Sequence, residues 1–133
     1  MSELCPCCSS LSFEECCQPY IAERKVAPTP SALMRSRYTA YVLKNASYLI
    51  ATWHPDCQAE QWRNSLQEGF TTTHWRGLQV IGQSDGRHAD EGFVEFAARF
   101  TETGDEHIHL IHERSRFLRL NERWYYIDGI KPQ

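Results

Sequence analysis

The stretch Glu91-Gly92-Phe93-Val94-Glu95-Phe96-Ala97-Ala98-Arg99-Phe100-Thr101 sets the architecture of the chain. Val94, Phe96, Ala98 and Phe100 recur at every second position and so share one face of a β-strand, since successive side chains in a strand point to opposite sides. On its N-terminal side, Trp75 to Gln83 carries Leu78, Val80 and Ile81, and Ser84-Asp85-Gly86 turns the chain. On its C-terminal side, Thr103-Gly104-Asp105 turns again. His107 to Leu120 reads as a long strand, Asn121-Glu122 as a further turn, and Trp124 to Asp128 as the last strand. Short turns favour pairing in sequence order, which predicts a meander of about four antiparallel strands.

Upstream the periodicity changes. Thr29-Pro30-Ser31 is a helix start, a capping hydroxyl followed by proline at the first helical position. A helix is expected from about Pro30 to Lys44, with Leu33, Met34, Tyr38, Tyr41 and Val42 at helical spacing. Asn45 should break it. A second short helix holds Tyr48, Leu49, Ile50 and Trp53, and ends at His54-Pro55-Asp56 because proline disfavours helix in the residue before it. A third, from roughly Gln58 to Gln67, should bury Trp62 and Leu66, with Gly69 just past its end. Helices first and a strand meander after give an α+β fold, helices packed on one curved antiparallel sheet.

Five of the six cysteines lie in Cys5-Pro6-Cys7-Cys8-Ser9-Ser10-Leu11-Ser12-Phe13-Glu14-Glu15-Cys16-Cys17, four of them as C-x-C-x8-C-C. Zinc takes four ligands in a tetrahedron, and thiolates are its usual structural donors. Cys5 and Cys7 can offer two sulphurs from one tight loop; Cys16 and Cys17 can both reach a metal from a first helical turn, with Phe13 packed beneath. A segment this short buries too little apolar surface to order itself without such a staple. Disulfides and free thiols are the competing readings. Adjacent Cys16 and Cys17 would pair badly with each other. Four thiolates leave no open position for catalysis. Cys8 is a spare thiol able to compete as a ligand, and Cys57 reads as a small buried hydrophobe.

Composition bounds the rest. At 133 residues the chain suits one domain plus an appendage. Hydrophobic residues at 41% are enough for one core. A net charge of −3 disfavours a general nucleic-acid binder, which needs a basic surface. No apolar run reaches membrane-spanning length, and Met1-Ser2-Glu3-Leu4 lacks the regions of a signal peptide. The expected location is cytoplasmic, with no membrane partner.

The cysteine spacing resembles the SEC-C motif, a zinc-binding tail also found on the protein-export ATPase. Cys5, Pro6, Cys7, Ser9, Cys16 and Cys17 agree with it in register. That resemblance implies zinc held by Cys5, Cys7, Cys16 and Cys17. Cys8 and Ser10 stand where the motif usually has glycines, so a turn wanting φ > 0 would be strained. Glu14 and Glu15 replace residues that are commonly lysine, which weighs against the docking role of a basic knuckle on a ribosome or export chaperone. The blocks Ser31 to Tyr41, Thr52-Trp53-His54-Pro55, Glu113 to Phe117 and Arg123 to Gly129, in that order behind a SEC-C motif, resemble the YchJ-like family. The resemblance implies a SEC-C knuckle over residues 1–22 and an NTF2-like, cone-shaped α+β domain over 28–133, without a settled activity.

In enzymes of that architecture the cone holds the active site. The candidates here are Arg37, Tyr38, Trp53, His54, His112, Glu113, Tyr126 and Asp128. A carboxylate against apolar walls could act as a general base, with Glu113 or Asp128 as the polar group. On a regular strand His112 and Glu113 face opposite ways, and Glu113 shares its face with Ser115 and Phe117. The same alternation separates His107 and His109 from His112, which weakens a second metal site. The plainer expectations are that Trp53 fills core, that His54 caps carbonyls, and that Arg37 and Glu113 form a structural ion pair. With no recognisable catalytic constellation, the leading expectation is a zinc-bearing adaptor that meets a protein partner through the knuckle. A small-molecule binder or enzyme using the cone, a ribosome- or export-linked factor, and a homodimer stand behind it.

Overall fold

The strand alternation is realised in a four-stranded antiparallel meander: β1 (Thr73–Asp85), β2 (Glu91–Glu102), β3 (His109–Leu120) and β4 (Arg123–Ile130), hydrogen-bonded in that order. The computed structural model describes residues 4–130, so the expected outer boundaries at 1 and 133 fall outside the described residues. Among the described residues four α-helices precede the sheet: α1 (Gln18–Ile21), α2 (Pro30–Val42), α3 (Ala46–Ala51) and α4 (Arg63–Thr72). The chain is α+β, as its sequence suggests.

Register puts Val94 opposite Ser115, Phe96 opposite Glu113, and Ala98 opposite both Leu78 and Ile111. These residues share the face that α2 covers. Bulges in β1 between Trp75 and Gly77 and between Val80 and Gly82, and between Arg116 and Phe117 where β3 meets β4, bend the ladder. An extra residue in one strand sharpens its local twist, and here it curls the sheet around α2.

Thr29 caps α2, its hydroxyl accepting from the Ala32 amide at 3.1 Å. The helix stops two residues before the expected Lys44, which takes φ +62°. Asn45 then caps α3 through the Tyr48 amide. After α3 the chain is pinned to β4, with the His54 amide donating to the Tyr126 carbonyl and the Tyr126 amide to the Thr52 carbonyl. The third helix departs from expectation. Residues 59–62 form a 3₁₀ turn, α4 follows, and Gly69 lies inside it. Trp62 is 37% exposed, and Phe70, at 7%, is the residue α4 buries. Packing of Phe70 carries the helix through a glycine whose intrinsic cost is only about 1 kcal/mol.

Candidate functional site

Two sites share the faces of α2. On one, the chain from Cys5 to Cys17 folds back on itself, with Leu4 bridged to Ser12 and the Cys5 amide donating to the Leu11 carbonyl. A 3₁₀ turn over Phe13–Glu15 brings Cys16 round, and Cys17 caps α1. The sulphurs of Cys5, Cys7, Cys16 and Cys17 all lie within 4.8 Å of one another, a group able to hold a metal ion. Tetrahedral zinc with Zn–S near 2.3 Å sets its sulphurs about 3.8 Å apart. The Cys7–Cys16 and Cys16–Cys17 separations of 3.6 and 3.8 Å fit that spacing.

All six cysteines are free thiols. Cys8 stays outside the quartet, exposed, its Sγ against the Pro6 carbonyl. Cys8 and Ser10 adopt φ of +66° and +73°, the left-handed conformation the glycine positions of the motif call for. Without metal the cluster resists full ionisation. The hydrogen bond from Cys17 lowers Cys7 to about 4, and the same bond together with burial drives Cys17 upward. Burial pushes Cys16 up to about 11. A cation beside them would favour the thiolate form of its cysteine ligands.

The knuckle is built into the body. Cys5, Cys7 and Cys17 are buried in one cluster with Tyr38, Leu78, Phe96 and Ala98, and Phe13 packs against it. Three residues support the sulphurs: Ser9, a motif position, and Arg35 and Thr39, which escaped the sequence reading. Arg35 donates to the Cys7 carbonyl at 2.9 Å, Thr39 Oγ1 lies 3.6 Å from Cys5 Sγ, and Ser9 Oγ lies 3.1 Å from Cys16 Sγ. Their signal was Arg35 and Thr39 at i, i+4, which puts both on the same side of α2.

On the other face, α2 and the curled sheet enclose a cavity of about 250 Å³. Of the sequence candidates, Arg37, Tyr38, Trp53, Glu113 and Tyr126 line it, joined by Met34, Tyr41, Trp75 and Ser115. Met34, Arg37, Tyr38 and Tyr41 are the i, i+3, i+4, i+7 face of α2, so Met34 and Tyr41 were available to a periodicity argument. Arg37 is buried at 4% exposure. Its Nη1 donates to the Leu49 carbonyl at 2.8 Å and to Thr52 Oγ1 at 2.7 Å, and its guanidinium carbon lies 4.7 Å from the Trp53 ring centroid and 4.9 Å from that of Tyr126. Burial pulls its pKa below the ordinary arginine value. Burial raises Tyr126, with the Glu113 charge adding to the shift, so its hydroxyl stays protonated.

Glu113 takes a hydrogen bond from the Ser115 hydroxyl at 2.8 Å. Its carboxylate fills the space a Cβ at Gly129 would need, so the glycine makes room for it. The expected Arg37–Glu113 ion pair is replaced by the two aromatic rings flanking Arg37.

His54 and Asp128 lie outside the cavity lining. Proline at position 55 starts a 3₁₀ turn, so the amide of Asp56 needs an acceptor, and His54 Nδ1 provides it; the imidazole caps an amide and not carbonyls. Asp128 pairs with Arg116 at 2.8 Å. His112 is on the opposite face of β3, bonded to Glu95 at 2.7 Å. His107 and His109 both meet Asp105, away from His112.

Comparison with known proteins agrees with this layout. The family model described as YchJ, middle NTF2-like domain, matches residues 29–129. A UPF0225 protein of Yersinia pestis is 63% identical over 132 residues, covering 99% of this chain and 86% of the relative. The solution structure of a SEC-C motif protein from Rhodopseudomonas palustris superposes with a TM-score of 0.89 at 34% identity, covering 100% of both chains. The crystal structure of a SEC-C motif protein from Psychrobacter arcticus gives 0.83 at 27% identity, over 98% of this chain and 84% of that one. The chain belongs to the YchJ-like family, in which a cysteine-rich SEC-C segment stands in front of an NTF2-like domain.

Proposed function

We propose that this protein binds a small organic molecule in the cone, and that its SEC-C knuckle is a zinc staple holding α2 against the sheet. The observation that carries the reading is the cavity of about 250 Å³, walled by aromatic side chains and holding the polar groups of Arg37 and Glu113. Apolar walls with a few convergent polar groups are the usual make-up of a ligand site. At about 30 Å³ per water the space is worth about eight waters, which suits a metabolite fragment. Zinc is supported by the sulphur spacing and by the gathering of four cysteine sulphurs, the usual structural zinc donors, at one point. Thiols in that state persist in a reducing compartment, consistent with the cytoplasm.

The test is a fragment titration of ¹⁵N-labelled protein, read at the backbone amides of Met34, Arg37, Tyr41, Glu113 and Ser115 and by Trp53 and Trp75 fluorescence. Saturable shifts confined to that set are expected. A chemically diverse fragment library that leaves those amides unmoved would sink the reading.

The second reading, a protein partner on the knuckle, is favoured by Leu4 and Leu11. They are 70% and 51% exposed on the two segments of the knuckle joined by the Leu4–Ser12 bridge, and Glu14 and Glu15 that follow are exposed too. Leu4→Ser with Leu11→Ser should abolish any co-purifying partner without changing zinc content; retention of that partner would exclude this face.

A further inference from the structure

Arg37 is charged, enclosed and only half used. Its Nη1 is committed to Leu49 and Thr52, while Nε and Nη2 donate to nothing among the described residues. No buried side-chain nitrogen or oxygen among those residues lacks a partner, so these two atoms are reachable, and Arg37 is one of the residues that line the cavity. The arginine ion pairs join Arg63, Arg87, Arg116 and Arg119 to carboxylates and leave Arg37 out. A guanidinium largely withdrawn from water with no counter-charge is costly unless something supplies one. The flanking Trp53 and Tyr126 rings offset part of that cost and also fix the plane of the fork.

We infer that the cone takes a small monocarboxylate with a flat, apolar body, its carboxylate bound by the Nε–Nη2 edge of Arg37. This rests on the ligand-binding reading above and names the ligand's class. An arginine edge matches a carboxylate through two parallel hydrogen bonds. The body would lie among Tyr38, Tyr41, Trp75 and Phe96, rings that favour a planar group. Glu113, holding only the Ser115 hydroxyl, accepts a donor on that body and repels a second carboxylate. The ligand is therefore a monoanion, and a hydroxyl or amine on its ring strengthens it.

The experiment titrates the full-length, zinc-loaded protein with benzoate, 4-hydroxybenzoate, terephthalate, benzyl alcohol and benzylammonium, following tryptophan fluorescence and the Arg37 ¹⁵Nε–¹H resonance. Benzoate should bind about tenfold or more tighter than benzyl alcohol, a 1.4 kcal/mol difference. 4-Hydroxybenzoate should bind tighter still, terephthalate more weakly than benzoate, and benzylammonium not at all. The Arg37 resonance should move with benzoate and stay with the alcohol. Arg37→Lys keeps the charge and loses the fork, and should weaken benzoate about tenfold while leaving benzyl alcohol unchanged. Should that variant not fold, the wild-type resonance decides alone. Equal binding of the alcohol or the cation overturns the carboxylate assignment while leaving a ligand-binding cone in place. Failure of all five probes overturns this inference, and the fragment titration then decides whether the cone binds anything.

Discussion

Removing the proposed zinc from the full chain is expected to loosen the body as well as the knuckle. Cys5, Cys7 and Cys17 are 4%, 0% and 1% exposed and share a cluster with Tyr38 at 4% and Leu78 at 6%. If the knuckle leaves, Tyr38 and Leu78 lose their cover. At about 1.5–3 kcal/mol for each large apolar side chain buried, that is about 3–6 kcal/mol. A domain of this size has about 5–15 kcal/mol in all, so the loss is a large part of the whole. At about 2–8 °C per kcal/mol, the melting midpoint should fall by about 6 °C or more. The assay is thermal unfolding of native protein, of protein treated with a strong chelator, and of Cys16→Ser, read by near-ultraviolet circular dichroism of the aromatic body. An unchanged body midpoint, with signal lost only from residues before about position 22, would refute the reasoning and make the knuckle a separate appendage.

Cys8→Gly and Ser10→Gly should each stabilise the protein. Relief of a left-handed backbone is worth about 1–2 kcal/mol against about 0.5–1 kcal/mol of added chain entropy, so calorimetry should show a rise of a few degrees, and a fall at both sites would contradict the φ values. Glu91, its side chain 1% exposed, accepts from the Arg87 amide and is held at about 2, below its ordinary 4.5. A depressed carboxylate stabilises fully above its unfolded pKa and loses that contribution as pH falls through the folded one. Urea midpoints should therefore drop between about pH 4.5 and 2, with a smaller drop in Glu91→Gln; identical slopes would show that Glu91 carries none of it. Gly129→Ala should displace the Glu113 carboxylate and weaken 4-hydroxybenzoate towards benzoate, and an unchanged ratio of the two would count against Glu113 as the acceptor.

Local rules carried the strands and the cysteine cluster. Val94, Phe96 and Ala98 alternate without interruption because β2 is covered on one face only, and C-x-C-x8-C-C is a spacing few other needs produce. The Arg37 environment was not legible, because it depends on Trp53 and Tyr126 meeting across 73 positions of chain. His54 and Asp128 looked like cavity residues through their neighbours Trp53 and Tyr126, yet a proline-initiated turn and a pairing with Arg116 direct them elsewhere. Gly69 read as a stop because propensity is local, whereas the burial of Phe70 that overrides it is tertiary.

The most direct measurement is the metal content of the native chain, purified under reducing conditions without added metal, by elemental mass spectrometry. We expect one zinc per chain, lost in Cys7→Ser with Cys16→Ser and retained in Cys8→Ser. Protein free of zinc whose residues 5–17 keep the same amide chemical shifts after chelation would contradict it.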